Sequence, residues 1–212
     1  MNVPLELVKK LREMSGAPML ECKKALDAAQ GDLELAFTVL RKRGQATAAK
    51  KAGRLASEGL IGSYVHAGGK IAVIVEVNCE SDFVARNEEF QQLVHDLAMQ
   101  ICATDPRFVR KEEVTPEVLD HEREILHAQA AASGKPEAVL KRIVEGRLEK
   151  FFEDTCLYEQ HFIKDPSGSM TVRELIDSKI AKFGENITVR RFARFKVGEG
   201  LTKPAAEGAG SA

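Results

Sequence analysis

Residues 70–90 read KIAVIVEVNCESDFVARNEEF, and this stretch decides the fold. Its first nine residues alternate, placing Ile71, Val73, Val75 and Val77 on one face, as a half-buried β-strand does. From Phe90 onward the period lengthens, and Phe90, Val94, Leu97 and Ile101 recur at helical spacing. The residues between them must turn a strand into a helix. Ser81 suits the N-cap of that helix, where its hydroxyl can accept from a free N–H of the first turn. Asp82 sets negative charge at the positive end of the helix dipole. Phe83 has two readings. It lies seven residues before Phe90, so periodicity can place it in the core stripe; as a ring on a corner, it can also be a contact residue, because connecting segments often carry function.

Outward from this corner the chain alternates between strand and helix signals. Residues 60–67 have period two and pair with residues 70–78 across Gly68-Gly69, which predicts a two-residue hairpin. Residues 187–197 predict a third strand, with Ile187, Val189, Ala193, Phe195 and Val197 on one side and Thr188, Arg190, Phe192, Arg194 and Lys196 on the other. Arg191 breaks the apolar side. Between these strands, Thr115-Pro116 opens a helix running to Ser133-Gly134, and Pro136 opens another along Leu140, Ile143, Val144, Leu148 and Phe151. Residues 158–164 suggest an irregular strand. Thr171 and Glu174 have the spacing of a capping box for a helix ending at Gly184. Residues 4–44 read as three short helices with a thin core, the last capped by Asp32 and with Gly44 past its end. The fold class is α+β: a small N-terminal three-helix, ubiquitin-associated-like domain, then an antiparallel sheet packed with helices. The expected division is 1–54 for the helical domain with its basic connector, 55–199 for the core and 200–212 for a tail with the composition of disorder.

Composition narrows the function classes. The chain has 212 residues, 44% hydrophobic and 30% charged, with net charge −1, which gives no global drive toward nucleic acid or membrane. Basic residues are nevertheless clustered: residues 38–57 carry no acid but include Arg41, Lys42, Arg43, Lys50, Lys51 and Arg54. This run reads equally as a solvated helical linker or as a docking surface for an acidic partner. The four cysteines, Cys22, Cys79, Cys102 and Cys156, are widely spaced and read as reduced thiols. No apolar run reaches the roughly 20 residues that span a bilayer, and the N-terminus lacks a signal-peptide pattern. The expected compartment is the cytoplasm, with no membrane partner.

Several chemistries fail on spacing. A phosphate-binding loop needs a glycine five residues before Gly69, where Tyr64 stands, and a Ser or Thr at Ile71. A zinc-protease motif begun by His121-Glu122 meets Ile125 where a second histidine is required. No nucleophile sits in a recognisable motif, so no enzymatic activity, metal or cofactor is expected. The basic runs can bind RNA phosphates, but with two tyrosines and no tryptophan they lack aromatic interleaving, and no direct nucleic-acid partner is expected.

The segment NCESDFVARN at residues 78–87 resembles the Asn-Cys-Glu/Gln-Thr-Asp-Phe-Val-Ala-Arg/Lys-Asn signature of the bacterial translation elongation factor Ts family. Further segments are similar to that family in the same order: SGAPMLECKKAL (15–26), RKRGQATAAKKAGRLASEG (41–59), SGKPEAVLKRIVEGRLEKF (133–151) and FKVGEGL (195–201). The similarity spans residues 7–201. Pro18 and Leu20 depart from the N-terminal motif, and Ser81 stands where the family has threonine. The chain has no counterpart to the extra C-terminal repeat of longer members. The resemblance implies guanine-nucleotide exchange on elongation factor Tu, with Ser81, Asp82, Phe83 and Val84 entering beside the Mg²⁺ and phosphate site and dislodging the cation. It implies a grip by the N-terminal domain on the same GTPase domain, and a possible homodimer. A scaffold that binds RNA or the ribosome is the main alternative.

Overall fold

Val73, Val75 and Val77 of strand β2 (Ile71–Cys79) are buried, as the alternation requires. The structure, a computed structural model, describes residues 3–131 and 136–201. β2 is the central strand of a three-stranded antiparallel sheet, between β1 (Glu58–Val65) and β3 (Thr188–Lys196). Short α4 (Asp82–Ala85) and long α5 (Glu88–Thr104) follow β2 and pack onto the inner face of the sheet. Phe90, Leu93, Leu97 and Ile101 of α5 are fully buried there. α5 comes close to β1 because Gly62 has no side chain: a Cβ at that position would stand 2.4 Å from Val94 Cγ1. Helix α8 (Val172–Phe183) adds Val172, Ile176 and Ile180 to the same core. The architecture is α+β, as the periodicities require.

The N-terminal helices are α1 (Leu5–Ser15), α2 (Met19–Ala28) and α3 (Leu33–Lys51), with their own small core around Leu11, Cys22, Ala25 and Leu26. Asp32 caps α3 as expected, accepting from the Leu35 N–H at 2.8 Å. Gly44 does not end that helix. It is buried inside α3, which continues for seven more residues and lies against α8. A glycine that ends a helix adopts the left-handed conformation, whereas here tertiary packing on α8 keeps Gly44 helical and carries α3 through. A third cluster lies between α6 (Pro116–Ala131) and α7 (Glu137–Thr155), built on Leu126, Ala130, Leu140, Val144 and Leu148. The expected stop of α6 at Ser133-Gly134 falls outside the described residues, as does all of the tail beyond Leu201.

Three further expectations need correction. The hairpin loop is longer than two residues: Val65 pairs with Ala72, the His66 N–H donates to the Ile71 carbonyl, and residues 67–70 make the turn. In β3, strict alternation fails because the register shifts by one at Arg190, between Val189 opposite Val77 and Arg191 opposite Glu76. A bulge reverses the faces of everything beyond it. Phe192 and Arg194 therefore turn toward the core, and Phe195 and Val197 turn outward. Arg191 points to the outer face, where it bonds Glu76 at 2.7 Å. Residues 158–164 form no strand. They begin in a 3-10 turn at Leu157–Glu159 and are tied down by buried Gln100. Its amide donates to the His161 carbonyl at 3.0 Å and accepts from the Ile163 N–H at 2.9 Å.

Candidate functional site

β2 ends at Cys79, and the next two backbone N–H groups, of Glu80 and Ser81, have no ladder partner. Both donate to the carboxylate of Glu185, at 3.1 and 3.0 Å. The Ser81 hydroxyl donates to the other oxygen of that carboxylate at 2.6 Å. Ser81 occupies the N-cap position of α4, but its side chain makes no bond to the helix. The expected cap is thus replaced by a long-range tie. One side chain here satisfies two N–H groups and the hydroxyl together, where a cap would satisfy a single N–H of the helix.

The tie is reciprocal. The Glu80 carboxylate accepts from the Asn186 N–H at 2.6 Å and lies 3.5 Å from Arg54. The Asn186 bond, with the Arg54 charge, holds the Glu80 carboxyl below its usual range. Beneath the corner, the Cys79 thiol donates to the Ser81 carbonyl at 3.1 Å. Burial and the nearby Glu185 charge push that thiol up to about 11, so it stays protonated at neutral pH.

This frame presents four residues differently. Ser81 and Asp82 are half-buried, Phe83 is 82% exposed, and Val84 turns into the core. Asp82 pairs with Arg86 one turn on, at 3.0 Å. Phe83 escapes the core stripe because the helix is interrupted. α4 stops at Ala85, and α5 starts afresh after Asn87, whose side chain accepts from the Glu89 N–H at 2.9 Å. The seven-residue spacing to Phe90 therefore carries no helical phase, and the two rings face opposite ways. The structure brings Ser81, Asp82 and Phe83 together at the surface, with Val84 as the peg that anchors them.

Sequence reading missed Glu185 and Asn186. They lie more than a hundred residues from the corner, in the loop after α8, and no local pattern marks them. The loop is itself held: Gly184 closes α8 in the left-handed conformation, Lys51 donates to the Gly184 carbonyl at 2.5 Å, and the Asn186 amide donates to the Arg54 carbonyl at 2.8 Å. Much of the basic run is engaged within the chain. Arg41 pairs with Glu174, Arg43 lies 3.5 Å from Glu21, and Lys51 and Arg54 hold the corner loop. Lys42 and Lys50 stay exposed. On the N-terminal helices, Leu20 at the start of α2 is 63% exposed. Among the described residues, no helix is long and apolar enough to cross a membrane.

A family profile described as Elongation factor TS matches residues 41–171. The chain is 59% identical over 199 residues to the Elongation factor Ts of Koribacter versatilis (strain Ellin345), covering 94% of this chain and 90% of that protein. It is 56% identical over 198 residues to the Elongation factor Ts of Carboxydothermus hydrogenoformans, covering 93% and 90%. To that of Moorella thermoacetica it is 58% identical over 196 residues, covering 92% and 96%.

Proposed function

This chain belongs to the elongation factor Ts family, and we propose that it acts on elongation factor Tu through the corner at residues 81–84. It promotes guanine-nucleotide exchange on elongation factor Tu during translation elongation. The exchange makes and breaks no covalent bond. An exchange factor binds the nucleotide-free partner more tightly than the GDP-bound one, and reciprocity then weakens GDP binding by the same factor.

The observation that carries the mechanism is a single aromatic ring, 82% exposed, on a corner whose polar groups are tied down. A free ring at a flexible tip would lose entropy on docking; one on a fixed mount loses less. Phe83 enters the GTPase domain beside its Mg²⁺ and phosphate site and displaces the groups that hold the cation. With the cation gone, the β-phosphate charge is poorly compensated and GDP leaves. Asp82 adds a negative charge next to the wedge, while Ser81 and Val84 serve as its mount. The helical unit of residues 1–54 grips a second surface of the same domain, with Leu20 exposed for contact, and residues 55–199 carry the wedge. Engagement of Arg41, Arg43, Lys51 and Arg54 within the chain favours this protein partner over RNA.

A second copy of the chain covers the outer face of the sheet. Ile61, Val65, Ile74, Phe195 and Val197 are all exposed there, and register sets Val65, Ala72 and Phe195 in one row. An apolar face of this kind marks an interaction surface.

The deciding experiment is stopped-flow release of labelled GDP from elongation factor Tu with wild type and Phe83→Ala, beside thermal melts. The variant should melt with the wild type and lose most of the acceleration. A folded Phe83→Ala protein with full activity ends the wedge reading.

A further inference from the structure

The corner needs a second element to hold it, and one side chain does most of that work. Glu185 supplies both carboxylate oxygens: one to the Glu80 and Ser81 N–H groups, the other to the Ser81 hydroxyl. Without it, the two N–H groups beyond the last ladder pair of β2 lose their acceptor within the protein. The flanks of Glu185 are fixed on both sides. Gly184 is closed onto Ile180 and held by Lys51; Asn186 is held by Glu80 and by the Arg54 carbonyl. The carboxylate thus sits on a rigid mount and points at the two residues that precede Asp82 and Phe83.

We propose that Glu185 is a positioning residue for nucleotide exchange, fixing the backbone of residues 80–81 so that Phe83 is presented in one orientation. This rests on the reading of Phe83 as the wedge. Glu185 touches neither nucleotide nor cation; it acts through Ser81. Its role is geometric: the two N–H groups and the hydroxyl need acceptors at the reach of a glutamate side chain. A glutamine retains that reach. Its carbonyl oxygen accepts from the N–H groups, and its amide donates to the Ser81 oxygen, which can accept as well as donate. An aspartate keeps the charge but is one methylene short.

The test uses the full chain with Glu185→Ala, Glu185→Gln, Glu185→Asp, Phe83→Ala and the double variant Glu185→Ala/Phe83→Ala. Two quantities are read: amide hydrogen exchange at residues 80 and 81, and GDP release from elongation factor Tu over a range of factor concentrations. In Glu185→Ala, the amides of Glu80 and Ser81 should exchange at least about tenfold faster, while those of Val73, Val75 and Val77 keep their protection. The maximal release rate should fall by about tenfold to a hundredfold, the scale of a misplaced contact group. Glu185→Gln should retain most of the rate and Glu185→Asp should not. In the Phe83→Ala background, Glu185→Ala should have no further effect on exchange, because the ring it positions is gone.

Effects of the two substitutions that multiply would overturn the proposal, because Glu185 would then act by another route. Glu185→Asp outperforming Glu185→Gln would show that charge rather than reach matters, and would overturn it too; this comparison stands even if the alanine variant fails to fold. Wild-type acceleration left intact in folded Glu185→Ala sinks the positioning role alone. A wild type that leaves GDP release at its basal rate sinks the exchange mechanism itself and the positioning role with it.

Discussion

The corner at residues 80–83 and the seam between α3 and α8 are both contacts between distant parts of the chain, yet they are built to opposite standards. At the corner, each exposed end of backbone finds a partner at 2.6–3.1 Å. At the seam, α3 meets α8 through small residues, Gly44 and Ala48, and a cavity of about 330 Å³ opens beside them, lined by Phe37, Leu40, Met170 and Ala181 among others. Arg41 pairs with Glu174 across it. Among the described residues, however, the Asp177 side chain makes no hydrogen bond or ion pair, and burial, only partly offset by Arg173, pushes its carboxyl up to about 6. The cavity opens to the surface past Arg43 and Gln45, so side chains do not fill this stretch of the seam. The corner is over-determined and the seam is under-filled. A corner proposed to enter a partner gains from a fixed shape; an arm proposed to grip from the side, the helices of residues 1–54, tolerates adjustment.

The largest effect expected from breaking this contrast is in the core beneath the corner. Phe90 is fully buried there, and Phe90→Ala should cost about 3–5 kcal/mol of stability in a denaturant melt. If the seam is loose, native-state hydrogen exchange should show that loss in β2 and α5, with Cys22, Ala25 and Leu26 of the arm holding their protection. Equal loss in both regions would show that the seam transmits stability as well as a packed core does.

Next comes pH. Asp177 has a folded value near 6 against 3.8 for the free group. Between those values the folded chain binds the proton and the unfolded chain does not, so this group's contribution to stability falls as pH rises from 4 to 6 and stays low above. Asp177→Asn removes that cost. With solvent screening at this half-buried site taken into account, it should stabilise the chain by about 1–2 kcal/mol at pH 7.5 and by nothing near pH 4. Glu80 and Glu76, held below their usual range by Asn186 and by Arg191, work in the opposite direction and weaken the wild type only as pH drops through the carboxylate range. Equal melting of Asp177→Asn and wild type at pH 7.5 would mean that the seam carries no electrostatic penalty.

The same contrast explains what could be read from sequence. Local signals survived: the alternation of β2, the Asp32 cap, the Thr171–Glu174 capping box and the left-handed Gly184 are each decided within four residues. Phe83 was legible only as two alternatives, because a ring's direction depends on whether two helices fuse or break at Arg86-Asn87. What failed was settled by distant partners. Ser81 forgoes its cap for a carboxylate 104 residues away. Gly44 stays helical because α8 lies alongside it. The faces of β3 reverse at Arg190, a bulge that a period-two pattern has no means of marking. Glu185 was invisible for the same reason.

A smaller effect sharpens the picture of the seam. Gly44 sits in the interior of α3 with ordinary backbone angles, and a Cβ there would lie 3.7 Å from the Asp177 carbonyl, an ordinary contact. Gly44→Ala should therefore stabilise the chain by about 0.5–1 kcal/mol through helix propensity. A loss of stability instead would show that the helices need a closer approach than this spacing, and the seam would count as packed.

The smallest expected effect on stability separates the arm's inner charges from its outer ones. Lys51 and Arg54 hold the corner loop, whereas Lys50, one residue away, is exposed and makes no ion pair among the described residues. Lys50→Glu should change stability by less than about 0.5 kcal/mol and leave the protection of amides 80 and 81 intact. If the outer charges of α3 steer an acidic partner, the variant should associate with elongation factor Tu more slowly at low ionic strength and dissociate at the wild-type rate. The difference should fade as salt shortens the Debye length to about 8 Å near 0.15 M. Arg54→Glu is the contrasting case, because it puts a second carboxylate beside Glu80 and should loosen the corner as well. An association rate unchanged by Lys50→Glu at low salt would remove steering from this face, and leave the basic run as the internal brace that its bonds to Gly184 and Glu80 describe.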